Sequence, residues 1–363
     1  MGKISEIFRQ YGDEYIKMFK SRIPNNHIKA IRRIQNCRTV ANGVNLYSCS
    51  SCTHRRIIYR GCGSRNCPNC QEHRTQKWLA KRLKEALPGP HFMLTFTIPE
   101  ELRAFFKRHQ AKAYNALFKA ASETLQTLIA DPRHLGADMS GFFGVLHTWG
   151  RQLQYHPHIH YIVPGGGIDS KTKLWKKSRD DFFIRVEVLS KLFRGKLKAI
   201  FKKEGLLDET DPRAWLKSFN VNSQALKHNN EGAVKYLAPY VFKIAISDSR
   251  IISCEKRKVT FSYTKKGSRR KRRITLDVME FIRRYLQHVL PNGFMKVRYY
   301  GFMSPNSKIS TDEIRCIIEL AHDFKIRLKP KKIIVEHPQV TCCKCGKEMK
   351  LTESIFAYEM SST

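Results

Sequence analysis

The chain has 363 residues, which is enough for two or three domains that each bury an ordinary core. Its 67 Lys and Arg residues outnumber 31 Asp and Glu residues, and the formal net charge is +36. A basic excess of this size, spread along a chain that is still 42% hydrophobic, makes nucleic acid the first candidate partner. Because no apolar stretch approaches the roughly 20 residues that cross a bilayer, we expect a cytoplasmic protein without a membrane partner.

Residues 1–36 follow a basic helical pattern, and a cysteine-rich segment follows at 37–76. Cys49 and Cys52 form one CxxC and Cys67 and Cys70 a second, at a spacing typical of two knuckles that close one tetrahedral zinc site. The same segment provides enough further donors for a second site or for another choice of four ligands, so the spacing leaves the partition open. These further donors are Cys37, Cys62, His54 and His73. Unliganded core thiols are the alternative, but the surrounding arginines are too polar for such burial.

The helix-breaking stretch Pro88, Gly89 and Pro90 indicates that a first domain ends at residue 88. After it the sequence alternates between apolar runs and longer helical patterns. A strand is predicted at 91–99 and two helices at 100–130. Two further strands, near 141–150 and 155–167, form a predicted hairpin. Helices follow at 186–203 and 230–244, then strands around a very basic turn within 250–277, and a helix that starts near Ser310. Together these elements predict a mixed α+β fold with a largely antiparallel central sheet.

Three histidines alternate in the second strand of the predicted hairpin, at His156, His158 and His160. Residues two apart on a strand point to one face, so their imidazoles line up. His147 lies eleven residues before His158, and the hairpin would place it on the neighbouring strand. Three neutral imidazoles can hold a divalent cation and leave coordination positions for a phosphate oxygen and water. Solvated or core histidines are the alternative.

Tyr236 and Tyr240 stand four residues apart in the stretch KYLAPYVFK, which on a helix places both hydroxyls on one face. Lys235 and Lys243 bracket them with positive charge. A tyrosine has a pKa near 10, so it becomes a nucleophile only where a cation stabilises the phenolate or the leaving group. A tyrosine pair in a helical core is the commoner fate of this spacing.

Two basic or metal-binding features follow the tyrosines. The very basic turn includes Arg269, Arg270 and Arg272, which we expect to follow a DNA backbone, and aromatic residues near 299–300 could stack on bases. A charge run is otherwise a solvated loop. Residues 301–363 form a basic C-terminal extension in which Cys342 and Cys345 make a lone CxxC. This is half a zinc site, and its missing ligands would come from His337 or elsewhere.

The stretches HTWGRQLQYHPHIHYIVPGGG, AVKYLAPYVFKIAISDSRI and FIRRYLQHVLPNGFMKVRYYGF, in this order, resemble the two-tyrosine rolling-circle transposases of bacterial insertion sequences, the insertion-sequence-91 type. The cysteine segment that ends CPNCQEH is similar to the N-terminal zinc-binding domain of that family. The resemblance covers nearly the whole chain and implies an HUH endonuclease domain at 89–300, in which two histidines flank a hydrophobic residue. It assigns the metal to His158 and His160, a third ligand to His147, and the nucleophiles to the two tyrosines.

The resemblance implies a transposase that nicks and rejoins single-stranded DNA at element ends and target through a 5′-phosphotyrosine, with Mg²⁺ or Mn²⁺ at the histidines and Zn²⁺ at the cysteines. Such a protein would act at the bacterial nucleoid. The sequence has no GxxxxGK[ST] nucleotide loop, so host replication or helicase machinery would separate the strands. The alternatives are a plasmid or phage rolling-circle replication initiator or relaxase, which uses the same chemistry, and a non-catalytic zinc DNA-binding protein.

Overall fold

The computed structural model describes residues 2–226, 241, 245–265, 267–322 and 339–356. Within these ranges the longer helices are α1 (Lys3–Phe19), α2 (Asn25–Gln35), α3 (Gln71–Lys84), α4 (Arg103–Arg108), α5 (Gln110–Ala130), α6 (Val186–Lys203), α7 (Val278–Leu286) and α8 (Thr311–Ala321). The strands are β1 (Val44–Cys49), β2 (Arg55–Tyr59), β3 (His91–Thr97), β4 (Gly141–Trp149), β5 (Tyr155–Pro164), β6 (Gly166–Ile168), β7 (Trp175–Lys177), β8 (Asn220–Ala225), β9 (Ile251–Glu255), β10 (Lys258–Thr264), β11 (Lys271–Asp277), β12 (Val297–Gly301) and β13 (Met349–Ile355). The helix predicted at 230–244 lies outside the described residues, apart from Val241.

A five-stranded antiparallel sheet in the order β12-β4-β5-β3-β8 forms the centre of the molecule. One face of it is apolar and packs against α5 and α6 in the largest hydrophobic core, because alternate strand residues such as Phe96, Leu146 and Ile159 point that way. The opposite face of β5 carries the alternating histidines. The predicted α+β class with a central antiparallel sheet flanked by helices is therefore confirmed, and so is the hairpin of β4 and β5.

The N-terminal helices share a second core with strands β9 to β11 and helix α7, which lie between β8 and β12 in the chain. Phe8 of α1 meets Tyr285 of α7 with ring centroids 5.1 Å apart, and Glu14 forms an ion pair with Arg257 at 2.7 Å. The three-stranded antiparallel sheet β11-β10-β9 packs on the same core through buried Val259. The first and second halves of the chain are thus joined by an apolar interface rather than by a linker alone.

A third small sheet joins the two ends of the chain. Strand β1 lies between β2 and β13, and Cys49 of β1 is opposite Met349 of β13. The helix α8 begins with a capping box at Ser310: the Ser310 hydroxyl accepts from the Glu313 amide, and the Glu313 carboxylate accepts from the Ser310 amide. In the described part of the chain, no helix is both long enough and apolar enough to cross a bilayer.

Gly144 allows the two strands of the central hairpin to pack closely. It lies opposite the fully buried Tyr161, and a Cβ at position 144 would be 2.4 Å from Cε1 of that ring. The Tyr161 hydroxyl donates to the Phe118 carbonyl at 3.2 Å, so the ring cannot easily move away. Gly195 in α6 is different, because a Cβ there would meet nothing within 4 Å.

We expect Gly144→Ala to lower the free energy of unfolding by about 1–3 kcal/mol, since the added methyl overpacks the core. Gly195→Ala should raise it by roughly 0.5–1 kcal/mol, because it removes a flexible residue from a helix interior. Thermal and urea unfolding of the zinc-loaded proteins compares the two variants. Equal stability of the two variants would contradict the close approach at Gly144.

Candidate functional site

The three histidines converge on the face of the central sheet opposite the largest hydrophobic core. His147 on β4 is directly opposite His158 on β5, and His160 is two residues further along β5 on the same face. One ring nitrogen of each lies within 4.8 Å of the others, so a single ion can reach all three. His147 is buried, while His158 and His160 are half-buried. The structure therefore brings together the three histidines that the sequence singled out.

Hydrogen bonds at the other ring nitrogens orient two of these imidazoles. Nδ1 of His158 donates to the carbonyl oxygen of His156 at 2.7 Å, so its Nε2 carries the lone pair. Nδ1 of His160 lies 2.9 Å from the hydroxyl of Thr95 on the neighbouring strand β3. The ring of His147 stacks on Trp149 with centroids 4.6 Å apart. Partners of this kind fix ring orientation and tautomer in metal sites.

Burial keeps the imidazoles of His158 and His160 neutral, the form in which a ring nitrogen can bind a metal. It lowers the pKa of His158 well below the ordinary value, and it lowers the pKa of His160 to about 4. His156 belongs elsewhere, because the guanidinium of Arg103 donates to its Nδ1 at 3.2 Å. Burial and the Arg103 charge lower the pKa of His156 as well. Of the three alternating histidines, His158 and His160 thus converge with His147, whereas His156 contacts Arg103.

The turn between β4 and β5 is held from outside by α7 and the residue that follows it. Leu153 adopts a φ of 62° in this turn, and its carbonyl accepts from the Gln287 amide at 2.7 Å. Buried His288 lies 3.1 Å from the Thr148 hydroxyl through Nδ1, and burial lowers its pKa to about 3. The sequence analysis assigned no role to Gln287 or His288, although both lie in the stretch FIRRYLQHVLPNGFMKVRYYGF, because their contacts depend on the packing of α7 beside the hairpin.

The face that carries the histidines continues across the sheet to its edge. Thr95 of β3 is opposite both His160 and Asn222, so the exposed amide of Asn222 on β8 shares this face with the histidines. At the other side of the histidines, fully buried Val241 packs against Val145 and Ile162 of the same face. The asparagine was missed because a short polar edge strand has no distinctive sequence pattern.

Several predicted DNA contacts and nucleophiles lie outside the described residues: Tyr236, Tyr240, Lys235 and Lys243. Arg269, Arg270 and Arg272 are exposed in and beside the connection of β10 and β11. That hairpin is tied to the turn beside the histidines, since Arg250 donates to the Ser262 and Arg151 carbonyls. Tyr299 and Tyr300 are not free to stack on bases, because Tyr299 packs on Phe143 and Tyr300 stacks on Phe142.

Four cysteines form a first cluster beside the second core: Cys37, Cys62, Cys67 and Cys70. The Cys37 and Cys70 sulfurs are 3.5 Å apart, and those of Cys62 and Cys70 are 3.8 Å apart. A tetrahedral zinc ion with Zn–S bonds of about 2.3 Å requires sulfurs about 3.8 Å apart. The cluster therefore fits one zinc ion.

The second cluster joins the first CxxC to the C-terminal one: Cys49, Cys52, Cys342 and Cys345. The Cys49 and Cys345 sulfurs, and the Cys52 and Cys342 sulfurs, are each 3.5 Å apart. Strand β13 aligns the C-terminal knuckle with the end of β1, which explains how residues so distant in sequence meet.

Of the partitions that the spacing left open, the structure therefore favours two sites, and Cys49 and Cys52 do not share a cluster with Cys67 and Cys70. Cys49 ends β1, whereas Cys62 follows β2 at the opposite end of that pair, and a strand of this length separates the two ends by about 17 Å. His54 and His73 belong to neither cluster, so the additional ligands at the first cluster are Cys37 and Cys62. His337 lies outside the described residues.

Two family models match the chain, one in its cysteine-rich N-terminal part and one in the part that contains the histidines. The family model "Putative transposase" matches residues 141–310, which include the hairpin with the three histidines. The family model "Transposase zinc-binding domain" matches residues 7–98. The chain is 37% identical over 321 residues to "Putative transposase y4qJ" of Sinorhizobium fredii, covering 83% of this chain and 80% of that relative.

A second relative is "Transposase for insertion sequence element IS801" of Pseudomonas savastanoi pv. phaseolicola, 27% identical over 294 residues, which cover 76% of this chain and 70% of the relative. No solved structure matches the chain. The fold and the two family matches define a DNA transposase with an N-terminal zinc-binding domain. The chain belongs to the insertion-sequence-91 type of transposase, an enzyme whose partner is DNA.

The two clusters predict two zinc ions per chain that survive dialysis against a chelator. Cys67→Ser and Cys345→Ser should each retain about one, because each removes a ligand from a different cluster. Cys67→Ser should also destabilise the second core, which its cluster borders. Elemental analysis of the full chain measures the metal, with the exposed Cys316→Ser variant as control. Loss of both ions in either single variant would contradict two independent clusters.

Proposed function

We propose that this transposase nicks and rejoins single-stranded DNA at element ends through a 5′-phosphotyrosine, with a divalent cation held by His147, His158 and His160. The observation that carries this proposal is the convergence of three imidazoles on one side of the sheet. A purely structural role would favour a closed coordination sphere. Three protein ligands leave coordination positions for water and a phosphate oxygen.

The residues fit a catalytic cation. Two of the imidazoles are oriented by Thr95 and the His156 carbonyl, and burial keeps them unprotonated. The cation, Mg²⁺ or Mn²⁺, would supply Lewis-acid polarisation of the scissile phosphate. Of the two ions, Mn²⁺ accepts an all-nitrogen protein donor set more readily, since Mg²⁺ is bound mainly through oxygen.

In the proposed step, the phenolic oxygen of Tyr236 or Tyr240 bonds to phosphorus and the bond from phosphorus to the 3′ oxygen breaks. The phenol loses its proton and the departing 3′ oxygen gains one, so the products are a 5′-phosphotyrosine and a 3′-hydroxyl. The phosphodiester is conserved in this linkage, and a second 3′-hydroxyl can reverse the step and join a new strand end without ATP. Two tyrosines permit two such links in succession.

The location of Val241 supports a nucleophile near the histidines. This residue directly follows Tyr240 and is fully buried on the histidine face, against Val145, Ile162 and Met93. The exposed arginines of the β10–β11 connection, tethered to the turn beside the histidines, suit the backbone of the same strand. Host replication or helicase machinery would provide the unpaired strand at the nucleoid.

Substitution of the histidines should separate cleavage from binding. We expect His158→Ala and His160→Ala to slow cleavage of a single-stranded oligonucleotide by on the order of a hundredfold or more, since both remove a ligand of the cation. Affinity for the oligonucleotide should change little, because it depends on distributed Lys and Arg contacts. His147→Ala should behave in the same way, and His156→Ala should be milder. Cleavage rates against Mn²⁺ concentration, with binding isotherms, measure both effects.

Thr95→Val provides a graded comparison in the same assay. It removes the hydroxyl that orients His160, so the apparent Mn²⁺ affinity should fall about 10- to 100-fold while cleavage recovers at saturating metal. Full activity of His158→Ala in the presence of a chelator would overturn the proposed site, as would equal losses of binding and cleavage in all histidine variants.

The tyrosines can be tested by trapping the covalent adduct. Tyr236→Phe and Tyr240→Phe should each weaken the adduct with single-stranded DNA, and the double variant should abolish it, because phenylalanine keeps the ring but lacks the nucleophilic oxygen. Denaturing gels resolve the adduct. Tyr263→Phe is the control, since Tyr263 lies on β10 in the described structure. Undiminished adduct in the double variant would move the nucleophile to another residue.

A further inference from the structure

A groove lies between the N-terminal helices and the start of α5. It encloses about 680 Å³ and is lined by the connection of α1 and α2, by α4 with the start of α5, and by residues of and after α7. A second hollow of about 320 Å³ continues it past Pro291, and Asn26 lines both. This second hollow reaches Cys62 of the first zinc cluster. The two together are called the junction groove here.

The junction groove is strongly cationic. Exposed cations from three separate segments line its larger part, and further cations line the smaller hollow. The first set is Arg22, Lys107, Arg108, Lys112 and Arg283, and the second is Lys29, Arg33 and Arg65. Among the described residues that line either part there is no Asp or Glu. A concave surface with charge of one sign concentrates counterions of the other sign.

Two carboxylates touch the lining from outside, and both are already paired. Glu280 binds Arg283 and Arg284 at 2.6 Å, and Glu209 lies 2.9 Å from His109. Burial, followed by the Arg283 charge, lowers the pKa of Lys107, and burial with the Lys107 charge lowers that of His27 to about 4. Because these like charges line one concave surface, they repel one another, and an anion would relieve that repulsion.

The groove also has an apolar wall. Phe19 and Ile23 are half-buried there, and the ring of Phe19 lies 4.7 Å from that of Tyr15. Surfaces that bind single-stranded nucleic acid combine cations along the phosphate backbone with aromatic rings on which bases stack. The bases of a duplex are stacked on each other and cannot reach such a wall.

We infer that the junction groove binds single-stranded DNA, with phosphates at Arg22, Lys107, Arg108 and Lys112 and a base against Phe19. This rests on the proposed function and deepens it, because it assigns part of the strand to a surface built jointly by the zinc-binding region and the catalytic domain. Gln287 links the two, since it lines the groove and also holds the turn beside the histidines.

The experiment compares a groove variant with a charge-matched control in the full, zinc-loaded chain. The groove variant is Arg22→Gln, Lys107→Gln, Arg108→Gln and Lys112→Gln, and the control changes four exposed lysines of α6 to Gln: Lys191, Lys198, Lys202 and Lys203. Fluorescence anisotropy measures binding of a short oligothymidine and of a duplex across a salt series. Zinc content and circular dichroism establish that both variants fold.

The groove variant should reduce the slope of log affinity against log salt by about 3 for the single strand, since each lost phosphate contact removes about 0.7. The control should lower that slope far less. Phe19→Leu should weaken binding of oligothymidine roughly tenfold but leave an abasic strand of equal length unaffected. Cleavage by the wild-type protein is measured on the same strand, so that failure of the proposed function appears separately.

Equal salt slopes for the groove variant and the control would overturn the inference, even if the wild-type protein cleaves DNA. A larger loss for duplex than for single strand, or an equal effect of Phe19→Leu on the abasic strand, would overturn single-stranded DNA as the occupant. A wild-type protein that binds through the groove but forms no cleavage product would support the groove and contradict the proposed function.

Discussion

The pairing register of β4 with β5 is the constraint on which the site depends. A shift of one residue would send the histidines of one strand to the apolar face, because successive side chains alternate. Three features maintain the register. Gly144 admits the ring of Tyr161, apolar residues commit the other face to the core, and the turn at Leu153 is held by Gln287. The imidazoles therefore converge as a consequence of core packing.

The cysteine clusters make a second long-range constraint, since each ties separate parts of the molecule. The first cluster borders the core shared by α1 and α7, and the Tyr285 hydroxyl of that core donates to the Asn66 carbonyl at 2.9 Å. The second joins the two ends of the chain through β1 and β13. A metal ion of this kind contributes directly to folding, because its site does not exist in the unfolded chain. Zinc thus supports the surfaces that flank the central sheet.

Local periodicity was sufficient to predict the hairpin, the convergence of His147 with His158 and His160, and the helix that starts near Ser310. These features are set by residues close in sequence, for which alternation and spacing are direct evidence. The partition of cysteines could not be predicted in this way. It depends on β13 lying beside β1, and nothing in the spacing of Cys49 and Cys52 indicates a partner near residue 342. The support from Thr95 and His288 was equally hidden, because cross-strand neighbours are known only once strand order is fixed.

We propose that histidines hold one divalent cation while cysteine sulfurs hold zinc. X-ray absorption can examine the two metals separately in one sample. We expect the manganese edge of the Mn²⁺-loaded protein to show imidazole scattering without sulfur, and the imidazole contribution to fall in His158→Ala. The zinc edge should show a shell of sulfur at about 2.3 Å in both proteins. A manganese edge without imidazole, or one unchanged by His158→Ala, would contradict the account.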